Sequence, residues 1–537
     1  MNVLAHLAHR QKWARATRRF AMLFPCLLAV PVCLAQVGPI QAPQAPEGQW
    51  RVGQTEFVQR VVALNVSSAA ASLQVDAARW LLEAERALYD PVILARLRNG
   101  IQERPRTFDE RIEGVTQNFI KDLSIERSQT ATLGQRLKLP SGATVEVSQE
   151  LRRRASNLLA SAEDREYRGT LSLAVRQPLL RGAGREIIEA DVQVAEREQR
   201  IERQRFLKQL IDLTGDAAGT YWQIHRADRT SQMREQGLAL TRALLREVRG
   251  RVEGGFAPRV DLLEAELAVG LRETDLLRAS QQAREAQARA RVLLSIPAEL
   301  EGALRPVVVD PALAQSGLAD APSSKPPAYL VERWPAYQIA QLRLEQEVIR
   351  LGYAANQERP DAAIELGAGS NSLRLNQMGN SVEDMARLRH PGWYAGVAVE
   401  FPLDNGAARS RRQAQSLRLQ SARLQLQAEG VTLSNEWANR RGQLVAAMDE
   451  RRQFEREVEG RERLLQAERE NYEVGRVRLR ALLEAQDRLA ESRIRLIDAG
   501  MREQLALLAL QAVSGELLDR FDVNTVPADA AVSSSSR

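Results

Sequence analysis

GGFAPRVDLLEA occupies residues 254–265, and VGRVRLRALLEA occupies residues 474–485. The two stretches lie 220 positions apart, and each runs from glycine through a break into a helix start ending on LLEA. Both interrupt long runs without proline: none occurs between 185 and 254, and none between Pro402 and Pro527. At about 1.5 Å per residue, seventy helical residues reach roughly 100 Å. After the first break, Leu262, Val269, Leu276, Ala283 and Ala290 recur every seven residues; after the second, Leu482, Leu489 and Leu496 do the same. Leu444, Val458, Leu465 and Tyr472 keep that spacing ahead of the second break, with Arg451 interrupting it. A seven-residue apolar repeat is a coiled-coil seam. The spacing predicts two long antiparallel helical hairpins, each turning at a glycine.

Working outward, the same programme is written twice. QPLLRGAGR (177–185) matches FPLDNGAAR (401–409) at an offset of 224, and Pro91 matches Pro360 at 269. The first copy therefore carries about 45 additional residues, and the turn PSG at 140–142 falls inside them. A helix is expected over about 55–88, where Leu64, Leu73, Trp80, Leu81 and Leu88 stand among alanines. Period-two alternation then marks strands. Leu133, Leu137 and Leu139 oppose Thr132, Arg136 and Lys138; Leu171, Leu173 and Val175 oppose Ser172, Ala174 and Arg176. ATVEVSQ (143–149) and AAIELGAG (362–369) alternate in the same way, and a polar loop is expected over 370–390. In GWYAGVAVEFP (392–402), Trp393, Ala395, Val397, Val399 and Phe401 share one side. The resulting division is a signal peptide at 1–35, a Pro/Gln-rich lead-in at 36–54 and a first repeat at 55–300. A proline-rich connector at 301–334, a second repeat at 335–524 and a disordered Ser-rich tail at 525–537 follow.

Composition narrows the function. The chain has 537 residues, 27% charged and 5% aromatic, a composition of long helices more than of a compact enzyme. Its net charge of +6 includes five cations before Gln36 and no acid there, which leaves +1 for the rest and implies no nucleic-acid partner. Basic RATRRF followed by AMLFPCLLAVPV has the layout of a secretory signal, with cleavage expected after Ala35. Both cysteines, Cys26 and Cys33, fall within it, so thiol chemistry is not expected in the exported chain. A lipidated Cys33 is the other reading, with Pro31 and Val32 where small residues are wanted. His225 and His390 are far apart, and His225 reads as a packing residue. No HExxH, CxxC, GxSxG or P-loop pattern occurs, so no catalytic, cofactor or metal residue is assigned.

Strands apolar on one side and attached to exported helices fit a membrane barrel, because open strand edges leave backbone groups unsatisfied in hydrocarbon. Trp393 and Tyr394, at a strand start, suit an interfacial aromatic girdle. The sequence resembles the TolC-like outer-membrane efflux proteins. The resemblance is carried by LAVRQPLLRGAGR (173–185), GGFAPRVDLLEA, ERWPAYQIAQ (332–341), VAVEFPLDNGAAR (397–409) and YEVGRVRLRALLEAQ (472–486), in that order. It implies a mainly α fold with a β-barrel part: a homotrimer whose strands share one outer-membrane barrel and whose helices form a periplasmic tunnel. It further implies a passive exit duct in a Gram-negative cell, fed by an inner-membrane transporter through a periplasmic adaptor, with outer-membrane lipid around it and no cofactor. An outer-membrane component of type I protein secretion, and a periplasmic coiled coil without a pore, are the alternatives. Family members usually give four strands per protomer, and the 45 additional residues leave open whether this chain adds a hairpin to the barrel.

The resemblance also assigns roles at the two breaks. Asp261 falls on the gate aspartate and Tyr472 on its tyrosine partner. Val477 stands where the gate arginine is expected, with Arg476, Arg478 and Arg480 around it. Ala481 replaces the first acid of the constriction and Glu484 keeps the second. Gly254, Gly255, Pro258, Leu262, Gly475 and Leu482 fall on the adaptor-docking tip. Read from the residues alone, Gly255 and Gly475 free the backbone for a sharp helix end, and Pro258 suits the start of the next helix. Asp261 and Glu264 then favour that helix N-terminus through its dipole.

Overall fold

The longest proline-free runs of the sequence form the longest helices. The computed structural model describes residues 51–108, 112, 123–156, 164–296, 308–309 and 329–525. The expected signal, cleavage site, most of the lead-in and connector, and nearly all of the tail lie outside the described residues. In chain order the main elements begin with β1 (Arg51–Val52), α1 (Gln54–Leu64), α2 (Val66–Arg86), β2 (Val92–Pro105), β3 (Leu123–Lys138), β4 (Thr144–Ser156) and β5 (Glu166–Pro178). Next come α3 (Ala190–Glu253), α4 (Arg259–Leu293), β6 (Val308–Val309), α5 (Pro335–Gln357), β7 (Asp361–Leu375), α6 (Met378–Ala386), β8 (Pro391–Glu400), α7 (Gly406–Glu473) and α8 (Leu479–Ser514). β1 and β6 pair in parallel as a minor sheet.

The single helix expected over 55–88 is two. Asn65 leaves helical geometry, and its side chain accepts hydrogen bonds from the amides of Ser67 and Ser68, capping α2. Its amide nitrogen donates to Leu293 O at 2.8 Å, tying this break to the end of α4.

α3 and α7 span 64 and 68 residues, about 100 Å each at 1.5 Å per residue. α4 folds back along α3, and α8 along α7. The heptads identify the seam, but on α4 most of its enclosed positions lie three residues further on: Ala265, Ala279 and Ala286 are buried there, together with Ala290 of the heptad series itself. On α8 both sets are buried, Leu482 and Leu489 as well as Ala485, Ser492 and Ala499. Small residues there let the helix backbones approach closely. Charged pairs flank both seams, most of them with reversed polarity. In the first hairpin, Arg234 and Arg242 on α3 meet Asp275 and Glu273 on α4; in the second, Arg502 and Arg493 on α8 meet Glu450 and Glu462 on α7. Arg451, which interrupts the apolar spacing, pairs with Glu503 at 2.5 Å.

The aromatic core lies near the middle of α3. Tyr221 is fully buried between Phe57, at 6.0 Å, and the edge of Trp222, at 6.1 Å. His225 stacks edge-on against Trp222 at 5.6 Å, and burial lowers its pKa, so it is a packing residue here. Leu433, Trp437, Leu444 and Met448 on α7 form a second cluster with Leu507 and Leu510 on α8.

The large sheet has six antiparallel strands in the order β2-β3-β4-β5-β7-β8. β2 is not among the strands that alternation marks in the sequence. The loop expected over 370–390 is instead the end of β7 followed by α6, which docks through Ser381 on Ser372 at 2.8 Å and Asp384 on Arg374 at 2.6 Å. The hairpin turn at PSG meets the strand-to-helix junction at QPLLRGAGR. Ser141 O accepts from Gln177 at 3.2 Å, and Gly142, at φ +89°, lies against Gly182 O.

Burial pushes the Asp228 carboxyl, just beyond the α3 core, up to about 6. The folded chain therefore holds this proton more tightly than the unfolded chain does. The stability from the neutral carboxyl is complete below about pH 4 and is lost as pH rises through 6. Asp228→Asn should raise the melting temperature at pH 7.5, by an amount equivalent to about 1–2 kcal/mol once partial exposure is allowed for. Thermal scans across pH should show that gain disappearing below about pH 4.

Candidate functional site at the hairpin tips and the sheet

Both long hairpins end in the same turn. Gly255 and Gly475 adopt φ of +78° and +74°, the left-handed region where a Cβ is strained. The Gly255 amide donates to Val252 O at 3.0 Å and the Phe256 amide to Arg251 O at 2.8 Å. At the second tip, Gly475 donates to Tyr472 O at 3.0 Å and Arg476 to Asn471 O at 2.8 Å. This pair of bonds satisfies the last helical carbonyls and stops the helix. Pro258 and Arg478 then sit extended before α4 and α8, and the amides of Asp261 and Ala481 donate to their carbonyls at 3.1 and 3.0 Å. Gly254 has an ordinary negative φ; its lack of a side chain leaves room for the Phe256 ring.

The side chains at the two tips differ. Tyr472 is 7% exposed, packed with Val248, Ala265, Leu479, Leu482 and Leu483. The Arg251 guanidinium lies 5.3 Å from its ring centroid, a cation–π arrangement. Burial raises the Tyr472 hydroxyl pKa; the charge of Arg251 opposes that, and the nearby carboxylates of Glu247 and Asp261 add to it. Within one chain, then, Tyr472 packs against the Arg251 cation and feels the charge of Asp261. The cation comes from α3, not from the turn where 477 lies. Val477 packs on the apolar cluster instead. Arg251 escaped sequence reading because it is one of many arginines on a helix surface.

Glu484 is exposed and held between Arg480, at 3.1 Å, and Arg488, at 3.8 Å. Arg476 and Arg478 are exposed, with no ion pair among the described residues. Leu262 is half-buried, while Leu482, expected on the docking surface, is 3% exposed and belongs to the hairpin core. The exposed apolar side chains at the tips are Phe256, Val260, Leu263 and Val474.

At the other end, strand register sorts the sheet into two faces. Partners Ala95, Leu133, Gln149, Leu171 and Ser370 follow one another across β2 to β7, and Leu97, Ala131, Leu151 and Ile93 fall on that same side. Val147, Leu173, Ala368 and Trp393 continue it to β8. The opposite face carries Arg136 paired with Glu146 at 2.8 Å, Arg152 with Glu126 at 2.7 Å, and Arg176 with Asp361 at 3.1 Å. Trp393 and Tyr394 fall on opposite faces. Trp393 lies on the apolar side and is 82% exposed, whereas Tyr394 lies on the polar side, its ring covering Gly367. Among the described residues no single helix is long and apolar enough to cross a membrane.

No protein-family model matches the sequence, and no curated protein matches it. Solved structures do. The outer-membrane channel OprN has 15% identity and a TM-score of 0.61, covering 86% of this chain and 89% of that one. The outer-membrane protein VceC of Vibrio cholerae has 14% identity and a TM-score of 0.60, covering 86% and 96%. The MtrE outer-membrane channel of Neisseria gonorrhoeae, solved in an open state, has 13% identity and a TM-score of 0.61, covering 86% and 88%.

Replacing Gly255 or Gly475 by Ala should cost about 1 kcal/mol of stability each, since both need positive φ. Gly237→Ala, in the helical interior of α3 with open space around it, should instead add about 0.5–1 kcal/mol. Thermal unfolding of the three variants reads the opposite signs. These similar structures are outer-membrane channel proteins and not enzymes, and the chain has the fold of TolC-like outer-membrane channels.

Proposed function

We propose that this chain is the outer-membrane exit duct of a tripartite efflux system. Three copies form one tunnel, which passively conducts small molecules delivered by an inner-membrane pump through a periplasmic adaptor. The observation that carries this reading is the two-faced sheet continuous with two helical hairpins of about 100 Å. An apolar face of barrel height needs lipid, and a polar face lined with paired charges needs water. A periplasmic coiled coil without a pore has no use for either face. The two turns recurring at one offset support a duplicated chain, with six tips in a trimer.

In this reading Trp393 marks the lipid interface, and the tips serve as gate and docking surface. Asp261 and Tyr472 hold the resting tip closed, with Arg251 supplying the charge partner that Val477 cannot. Phe256, Val260, Leu263 and Val474 offer the adaptor its apolar contact, surrounded by Gly255, Pro258 and Gly475 at the turn surface. Arg476, Arg478 and Arg480 make the second tip cationic, and Glu484 is already neutralised by arginines, so the constriction lacks a strong acidic ring.

Two experiments bear on this. Leu173→Arg places a charge on the apolar face, at a cost of about 2–4 kcal/mol per copy in mid-bilayer. It should sharply reduce the amount of assembled protein in outer-membrane fractions, while Ser172→Arg, on the water face, should assemble normally; equal yields would remove the membrane assignment. For the gate, Asp261→Ala and Tyr472→Phe channels in planar bilayers should spend more time open and carry more current than the unmodified channel. Opening unchanged in both would eliminate the latch.

A further inference from the structure

The sheet ends at β2 on one side and β8 on the other, and no strand among the described residues pairs with either outer edge. Every residue of β8 is exposed. The apolar side chains at the edges are correspondingly bare: Ile93, Leu97 and Ile101 on β2, and Trp393, Val397 and Val399 on β8. On the polar face, β2 carries Arg96 and Arg98, which have no ion partner among the described residues. β8 presents Gly392, Gly396 and Ala398 there, with nothing within 4 Å of where a Cβ at either glycine would stand. It also presents Glu400, which has no ion partner among the described residues either. One edge thus holds two long unpaired cations, and the other holds space and an unpaired carboxylate.

The helices attached to these edges repeat the pattern. α2 leads into β2, and its Val66, Leu73 and Trp80, seven residues apart, are all more than half exposed. α7 leaves β8, and its Leu417, Leu424 and Val431, also seven apart, are equally bare. The first set lies 24, 17 and 10 residues before Asp90, and the second lies 12, 19 and 26 residues after Asn405. Measured from the sheet, the two stripes descend in step: Trp80 is level with Leu417, Leu73 with Leu424, and Val66 with Val431.

We infer that a second copy of this chain fills both edges at once: β8 of one copy pairs antiparallel with β2 of the next, directly above an α7–α2 seam. A contact joining two different surfaces closes when the copies form a ring. β2 and β8 already run in opposite directions, because five antiparallel pairings separate them. The apolar faces stay aligned only where odd-numbered residues meet odd-numbered residues, since a slip of one reverses every side chain. Resting on the trimer proposed above, this seam closes a barrel of eighteen strands, six from each chain. The additional strands of the first repeat are then barrel wall. Barrel diameter grows about linearly with strand number, so the mouth is wider than a twelve-stranded one by about half. Arg96 and Arg98 lie across the seam over Gly396 and Ala398, toward Glu400.

Cysteine coupling in the full chain, oxidised in outer membranes, tests this. Two arms are needed. In the helix arm, Leu73→Cys is combined with Leu424→Cys, or Trp80→Cys with Leu417→Cys. In the strand arm, Cys at Ala95, Leu97 or Asn99 is combined with Cys at Ala395, Val397 or Val399, with odd–even pairs such as Leu97 and Ala398 as controls. Both arms should yield covalent trimers on non-reducing gels, with at least one odd–odd strand pair linking most of the protein and odd–even pairs at least tenfold less. If the helix arm links but β8 cysteines couple to Leu151→Cys on β4 and never to β2, the first hairpin stands outside the barrel and the inference is wrong. If neither arm links, the ring itself is absent, and the proposed duct fails with it.

Discussion

Unsatisfied backbone at a strand edge is the constraint on which the rest of this structure depends. Six strands in one sheet satisfy each other's N–H and C=O groups everywhere except along the outer sides of β2 and β8. In water those groups would find solvent. Beside an apolar face they would face hydrocarbon, where an unpaired peptide group costs several kcal/mol. No other segment among the described residues covers either edge. In the proposed barrel, another copy of the chain completes both edges. The helices obey the same logic more weakly: α2 and α7 leave apolar stripes at the sides where the strands leave unpaired amides.

Much of this was legible in the sequence because periodicity survives folding. The seven-residue spacing located the hairpins, and the two glycine turns fell where they were expected, since positive φ is one of the few backbone demands that residue identity reveals directly. Alternation located β3, β4, β5, β7 and β8. It missed β2, where Leu94 and Val92 blur the pattern and arginines dominate the polar positions. The buried stripe also ran through alanines that hydropathy scarcely weights; on α4, Ala265 and Ala279 are buried where Leu262 and Leu276 are only half-buried.

The tips were partly legible. Asp261 and Tyr472 lie far apart in sequence, and only the resemblance joined them; in the fold the Asp261 charge acts on the Tyr472 hydroxyl from the neighbouring tip, and Arg251 lies 5.3 Å from the tyrosine ring. Arg251 carries no local signal, because its role comes from the helix opposite. Leu482 was misread as surface for the converse reason: a leucine beside a turn looks available until the hairpin closes over it. Trp393 and Tyr394 were read together although neighbours on a strand always face opposite ways. The two copies of the turn share their backbone hydrogen bonds but not their charge, so the tip follows one backbone solution with two chemical surfaces.

The central claim is that copies of this chain complete one another into a membrane-embedded tube. Native mass spectrometry of the particle extracted from outer membranes tests it most directly. The account predicts three copies per particle, persisting at low protein concentration. A monomer, or a two-chain coiled coil released from the periplasm without detergent, would contradict it.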